Sequence, residues 1–235
     1  MKYLSIVIPC VFLSSIFAQS PRIIPHIPPP RTLFDTWILI SNPDQNETGW
    51  IDLTGFEVNG SVLEVVHMEL EPNKSLRLKS TTVFEALNLS HIRVEGTLYC
   101  TVEIRSPFSD NMDLFVGENQ WLGTRFQIHL PQTEDEFIGL AIVNINDDPV
   151  ELQGLLLLEN GSSRTLIQSS LNPWGKELHI VSDPFGNGTE YTPGDRLEIR
   201  SSAPVSILIL RGGAPIRNDS TLIELIPTVL SPLAQ

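Results

Sequence analysis

Gly49-Trp50-Ile51-Asp52-Leu53-Thr54-Gly55-Phe56, then Glu57-Val58-Asn59-Gly60-Ser61, then Val62-Leu63-Glu64-Val65-Val66-His67-Met68-Glu69-Leu70 is the stretch that decides the fold. Both flanks are rich in Val, Ile, Leu and aromatics. The second roughly alternates apolar with polar residues, as a half-buried strand does. Between them, Asn-Gly supplies the positive φ that a tight hairpin turn needs. The stretch predicts two antiparallel strands joined at Asn59-Gly60.

The same signals recur outward. Trp37 to Ser41, Tyr99 to Ile104, Phe137 to Asn144, Val150 to Leu158 and Val205 to Leu210 are apolar, β-rich runs bounded by Gly, Pro, Asn or Asp. Only the segment near 81–89 reads helically, as one or two turns with Val83, Phe84 and Leu87 on one face. Pro21 to Arg31 is Pro-rich, hence extended or edge-like. Leu230 to Gln235 reads as a loose tail. Many short strands with explicit turns predict an all-β fold of Ig-like or sandwich type.

A repeat emerges when the hairpins are compared. Asn59-Gly60-Ser61 matches Asn160-Gly161-Ser162, and Leu70-Glu71-Pro72 matches Leu171-Asn172-Pro173, both 101 residues apart. Ile38 to Asn42 matches Leu140 to Asn144 at 102, and Ile24 to Pro28 matches Gln127 to Pro131 at 103. Glu103 to Ser106 matches Glu198 to Ser201 at 95. Five matches in one order predict two tandem sandwich repeats of about 100 residues each. The expected division is a signal peptide at 1–18, repeat one at 19–123, repeat two at 124–230 and a tail at 231–235. The match makes His26 and His129 repeat-equivalent. The strand around His129 closes the first unit or opens the second.

Taken together, these motifs resemble a repeated sandwich module of bacterial exported proteins. Its elements read here as Phe126 to Leu130, Ile142 to Asp148, Asn160-Gly161, Leu171-Asn172-Pro173, Ser201 to Arg211 and Leu225-Ile226-Pro227. The first unit departs over Pro107 to Gly117, which lacks the Pro-Val and Leu-Arg signature. The resemblance implies no catalytic residues and no cofactor. It implies adhesion, surface display or an accessory role beside an exported enzyme.

Composition narrows the classes. The chain has 235 residues, is 41% hydrophobic and carries a formal net charge of −13. That is apolar enough for a packed core, and acidic enough to disfavour nucleic acid and anionic lipid. Leu4 to Phe17 follows a minimal positive start and ends in small residues, with Ala18 the expected last residue before cleavage. The run is too short to span a membrane, which takes about 20 residues. Cleavage would leave Cys100 as the one thiol, in a β-rich run where a buried inert role outweighs a nucleophilic one. The expected location is therefore secreted or periplasmic, and the absence of a disulfide leans bacterial. No membrane span is expected after cleavage.

Chemistry-bearing patterns are sparse. The five His include no metalloprotease pair. Asn144, Asn146, Asp147 and Asp148 form an oxygen-rich turn that a hard cation could use, but such residues also build turns for their own backbone bonds. There is no Gly-x-Ser-x-Gly, and Glu134 and Glu136 have no fixed partner. Trp174, in Pro173-Trp174-Gly175, is the candidate ligand contact, since its turn lies outside any strand, whereas Trp37 and Trp50 read as core. Asn46, Asn59, Asn73, Asn88, Asn160, Asn187 and Asn218 begin Asn-x-Ser/Thr triplets that coincide mostly with turns. The expected function is a non-catalytic structural or interaction module with a protein or glycan partner outside the cytoplasm. A carbohydrate-binding accessory domain is the alternative, and an enzyme of unrecognised type the third reading.

Overall fold

The structure is a computed structural model, and it describes residues 21–29, 34–105, 113–118, 121–130, 136–182, 191–192, 194–213, 222–224 and 226–232. The fold is all-β. An N-terminal sandwich holds β1 (Arg22–Ile24), β2 (Asp35–Ser41), β3 (Gly49–Phe56), β4 (Val62–Leu70), β5 (Ser75–Lys79), β6 (His91–Gly96), β7 (Tyr99–Arg105) and β8 (Asp113–Gly117). A C-terminal sandwich holds β9 (Leu122–His129), β10 (Glu136–Asn144), β11 (Val150–Leu157), β12 (Ser163–Leu171), β13 (Lys176–Ser182), β14 (Arg196–Gly213), β15 (Leu222–Glu224) and β16 (Thr228–Pro232).

In the N-terminal sandwich one sheet runs β1-β6-β3-β4 and the other β5-β2-β7-β8. In the C-terminal sandwich the first part of β14 pairs β9 and β11, and its last part pairs β10 and β15. One sheet is thus β16-β9-β14-β11-β12, the other β13-β10-β14-β15, and the single strand β14 crosses between them. The register slips between Arg200 and Val205, where the strand turns the corner. In the N-terminal sandwich this corner is broken instead at Gly96, whose φ of +115° only glycine adopts cheaply.

Both hairpins are built alike. Gly60 N–H donates to the Glu57 carbonyl at 3.1 Å and Glu57 N–H to the Ser61 carbonyl at 2.9 Å. Gly161 and Leu158 repeat this with Leu158 and Ser162 at 3.0 and 2.9 Å. Only the glycines have positive φ, +91° and +86°. Each Asn instead accepts the following Ser N–H on its side chain. This is a three-residue loop with glycine at the bulge, rather than a turn with both central residues left-handed.

Several expectations change. The helical segment shrinks to one turn, α1 (Ser80–Val83). Past it the chain is extended: Phe84 and Leu89 enter the core as loop residues, and Leu87 is exposed. Burial of these two large side chains decides the path, and the four residues of α1, of low helix propensity, cannot extend the helix against it. The tail is also shorter than expected, because Ser231 and Pro232 belong to β16, which pairs β9. A cut at 123/124 would sever β9, which starts at Leu122 and pairs β14 and β16 as part of the C-terminal sandwich.

Two of the sequence matches do not fall on equivalent positions. Glu103 lies in β7, whereas Glu198 lies in the part of β14 that pairs β11 as β6 pairs β3. The shared letters reflect shared local chemistry. Glu103 is clamped by Arg77 and Arg105, and Glu198 by Arg125 and Arg200, since a buried carboxylate requires such partners. His26 and His129 are one step out of register. Gly55 pairs Ile92, which pairs Ile24, and Leu156 pairs Leu197, which pairs Ile128. Ile24 thus corresponds to Ile128, and His129 to Pro25. One residue of slip reverses the face, so His129 is exposed while His26 points into the joint between the sandwiches.

Each sandwich closes on its own apolar cluster, and the two clusters meet. Ile38, Ile51, Val94 and Val102 centre the first; Phe126, Ile142, Leu152 and Ile199 centre the second. Ala141 and Leu208 belong by sequence to the C-terminal sandwich, yet pack into the N-terminal core. In β10, Leu140 to Val143 are all buried. A strand covered on both faces reads as a continuous apolar run, which this one is.

Candidate functional site: the joint between the sandwiches

The joint forms where the outer face of β13-β10-β14 receives one end of the N-terminal sandwich. Lys176 N–H donates to the Val58 carbonyl at 2.8 Å. Val143 packs with Ile23 and Ile145. A Cβ added to Gly60 would lie 2.0 Å from the Pro173 carbonyl oxygen, so the β3–β4 hairpin sits directly on the Pro173-Trp174-Gly175 turn.

Trp174 holds this contact at an unusual backbone conformation. Its φ is +54°, shared among non-glycine described residues only by Asn73, in the corresponding turn of the N-terminal sandwich. Asn tolerates this region; a bulky aromatic does so only when its surroundings over-determine it. Here they do. The ring stacks on Phe56 at 5.4 Å, and Phe56 stacks on His91 at 5.1 Å. The Arg93 guanidinium lies 5.1 Å from the indole, and the indole N–H donates to Asp147 Oδ1 at 2.8 Å. The expected ligand contact is thus engaged as a staple inside the molecule.

Behind the stack lies a basic cluster of Lys176, His91 and His26. Lys176 is 6% exposed. Its Nζ donates to the Ser90 carbonyl and to His26 Nδ1, the latter at 3.1 Å. Because Nδ1 accepts, neutral His26 carries its proton on Nε2. No carboxylate pairs with Lys176 among the described residues. Burial alone pushes its amine down to about 7. Burial, then the Lys176 charge, pushes His91 down to about 3. Burial, then Lys176 and His91, holds His26 well below the usual imidazole range.

Beside the cluster an apolar cleft of about 300 Å³ opens between the sandwiches. Phe34 and Ile104 form one wall, and Ala141, Leu178, Ile180 and Leu210 the other. His26 and His179 are the only imidazoles on its surface. His179 Nε2 lies 2.9 Å from Glu177 Oε1.

The other expected candidates have structural roles. Asn144 is fully buried, and its amide donates to the carbonyls of Asp148 and Asn172 at 2.8 and 2.9 Å. Its Oδ1 accepts from Asn146, and Asp147 holds Trp174. Asn42 builds the same corner in the N-terminal sandwich, toward Glu47 and Leu70. No group of three or more His, Cys, Asp or Glu that could hold a metal occurs among the described residues. Cys100 is buried, which pushes its thiol up to about 12, away from nucleophilic use. Glu134, the side chain of Glu136, Asn187, Asn218 and the leader lie outside the described residues.

The two strand tryptophans are not core. In β3 the inward positions are Ile51 and Leu53, so Trp50 faces out and is 41% exposed. It stacks loosely on His67, whose Nδ1 lies 2.6 Å from Asp52. Trp37 faces out of β2 beneath the Arg77 guanidinium, 3.8 Å from the ring. The alternation of each strand carried this signal.

No protein-family model matches this chain, and no curated protein matches it in sequence. Among solved structures it is similar to the crystal structure of Thermotoga maritima 1070. That likeness has 14% identity and a TM-score of 0.38, over 47% of this chain and 97% of that chain.

Proposed function

We propose that this chain is a non-catalytic interaction module that acts outside the cytoplasm. It is built from two tandem copies of one sandwich unit, of the kind repeated in bacterial exported proteins. The apolar run Leu4 to Phe17 supports export, and the parallel pairing orders of the two sandwiches support duplication. The observation that carries the interaction reading is the outer face of β3 and β4. There the edge strand β4 leaves Val62 and Val65 each 59% exposed, beside exposed Trp50 and the His67–Asp52 pair. Exposed apolar side chains on an unpaired edge invite a partner.

A glycan partner is the second reading, favoured by the same Trp50 ring, which offers a flat stacking surface next to the Asp52 and Glu69 carboxylates. The test is capture of extracellular proteins and a glycan array, using the mature chain and the variants Val65→Asp and Trp50→Ala. Binding lost in both, with thermal unfolding unchanged, supports the module. Loss of glycan signals alone in Trp50→Ala supports the second reading. Turnover in a hydrolase screen, abolished by one Asp, Glu or Ser substitution, overturns both.

A further inference from the structure

We propose that the cleft between the sandwiches binds a short amphipathic carboxylate, with its alkyl tail along β10 and β13 and its carboxylate at His26. The first ground is shape and lining. The cleft offers about 300 Å³ walled almost wholly by apolar side chains with few polar groups, the ordinary make-up of a small-molecule site. At roughly 30 Å³ per heavy atom, the share a water molecule takes in the liquid, it admits on the order of ten heavy atoms.

The second ground is an unexplained exposure. Lys176, Leu178 and Ile180 share one face of β13, and the last two are 52% and 63% exposed while lining the cleft. The corresponding residues of β5 are Ser75, Arg77 and Lys79, as the pairings of β5 with β2 and of β13 with β10 fix. The last two positions, Arg77 against Leu178 and Lys79 against Ile180, are charged where no cleft forms and apolar where one does.

The third ground is charge. His26 Nδ1 is occupied by the Lys176 ammonium, so its Nε2–H is the remaining donor of a residue that lines the cleft. The amine behind it has no carboxylate partner among the described residues. A donor backed by an uncompensated cation favours an anionic acceptor, and a charge-assisted bond there is stronger than a neutral one.

The test titrates the mature chain with octanoate, 1-octanol and octylamine by calorimetry and saturation-transfer NMR, with sedimentation run alongside. Octanoate is expected to saturate one site at least tenfold more tightly than octanol, and octylamine not to bind. Leu178→Glu, at an exposed position, abolishes octanoate binding with the fold intact. Lys176→Met or, should that variant fail to fold, His26→Phe brings octanoate to the level of octanol. Equal binding of octylamine, octanoate binding that survives Leu178→Glu, or no saturation overturns the proposal. So does concentration-dependent self-association that octanoate leaves unchanged, which would make a second copy the occupant.

Discussion

The outer face of β10 and β14 and the outer face of β2 and β7 hold corresponding places and carry opposite chemistry. Ala141 pairs Leu208 in one sheet, where Leu39 pairs Thr101 in the other. Gly139 pairs Leu210, where Trp37 pairs Glu103. The apolar face is covered by the neighbouring sandwich. The other face is covered by its own side chains: Trp37, Leu39 and Thr101 are half-buried, and Arg77 lies over Trp37 and bonds the buried Glu103 at 2.8 Å. The same division appears at the hairpins. Gly60 is pressed on the Pro173 turn, while no described residue lies within 4 Å of a Cβ on Gly161. A stacked array needs polar outer surfaces on its terminal units. Here one face and one hairpin are covered at the joint, and their counterparts are not packed on it.

The largest effect should come from Lys176, whose counterpart Ser75 has no charge to lose. Unfolded, its amine titrates near 10.5; folded, near 7. The unfolded chain then binds the extra proton between these values, so stability rises with pH across that window, at up to about 1.4 kcal/mol per unit. Urea unfolding from pH 7 to 10 should show this rise in the native chain and not in Lys176→Met. Below the unfolded imidazole value of 6.5, His26 and His91 act in the same direction. The folded value of His91 means that stability is lost as pH falls from 6.5 toward 3, and the depressed value of His26 adds a loss of the same sign.

Exchanging the two faces should be asymmetric. Leu208→Thr loses buried volume and buries a hydroxyl, for about 3 kcal/mol. Thr101→Leu on the open face should stay within about 0.5 kcal/mol. Denaturation midpoints at constant slope measure both. Equal costs would break the comparison.

The hairpins sharpen it. Gly161→Ala meets backbone strain and no described neighbour, for about 1 kcal/mol. Gly60→Ala adds the collision with Pro173 and should cost about 2 kcal/mol beyond that. The smallest effect lies at Asn73, the left-handed position that carries no stacked ring. Asn73→Gly should gain a few tenths to about 1 kcal/mol by relieving φ. Trp174→Gly relieves the same strain but loses the stack, so it should destabilise on balance and quench the indole signal change on unfolding.

Much of the fold was legible in the chain. The strands Gly49–Phe56 and Val62–Leu70 were readable to the residue, because apolar patterning and a glycine turn are local. Strands such as Ser163–Leu171 were not, since SRTLIQSSL has little apolar pattern of its own and is held by pairing with β11. The short helix was over-read because propensity over a few residues yields to the burial of Phe84 and Leu89. Of the site, Trp174 and His26 stood out, but not for the stack on Phe56 and the bond to Lys176 that they make. Lys176 was invisible. A lone lysine in Gly175-Lys176-Glu177 gives no local sign that a neighbouring sandwich will seal it.

The sequence by itself determined the class and the hairpins. Those depend on side-chain alternation and on glycine at positive φ, which are properties of neighbouring residues. It also held the double burial of β10, written as an unbroken apolar run. Only the tertiary structure decided what covers that face, which of the two like turns is docked, and that an imidazole and a buried amine meet beside an apolar cleft. Those outcomes depend on groups brought together from 150 residues apart, as Lys176 and His26 are, and no local pattern records such a meeting.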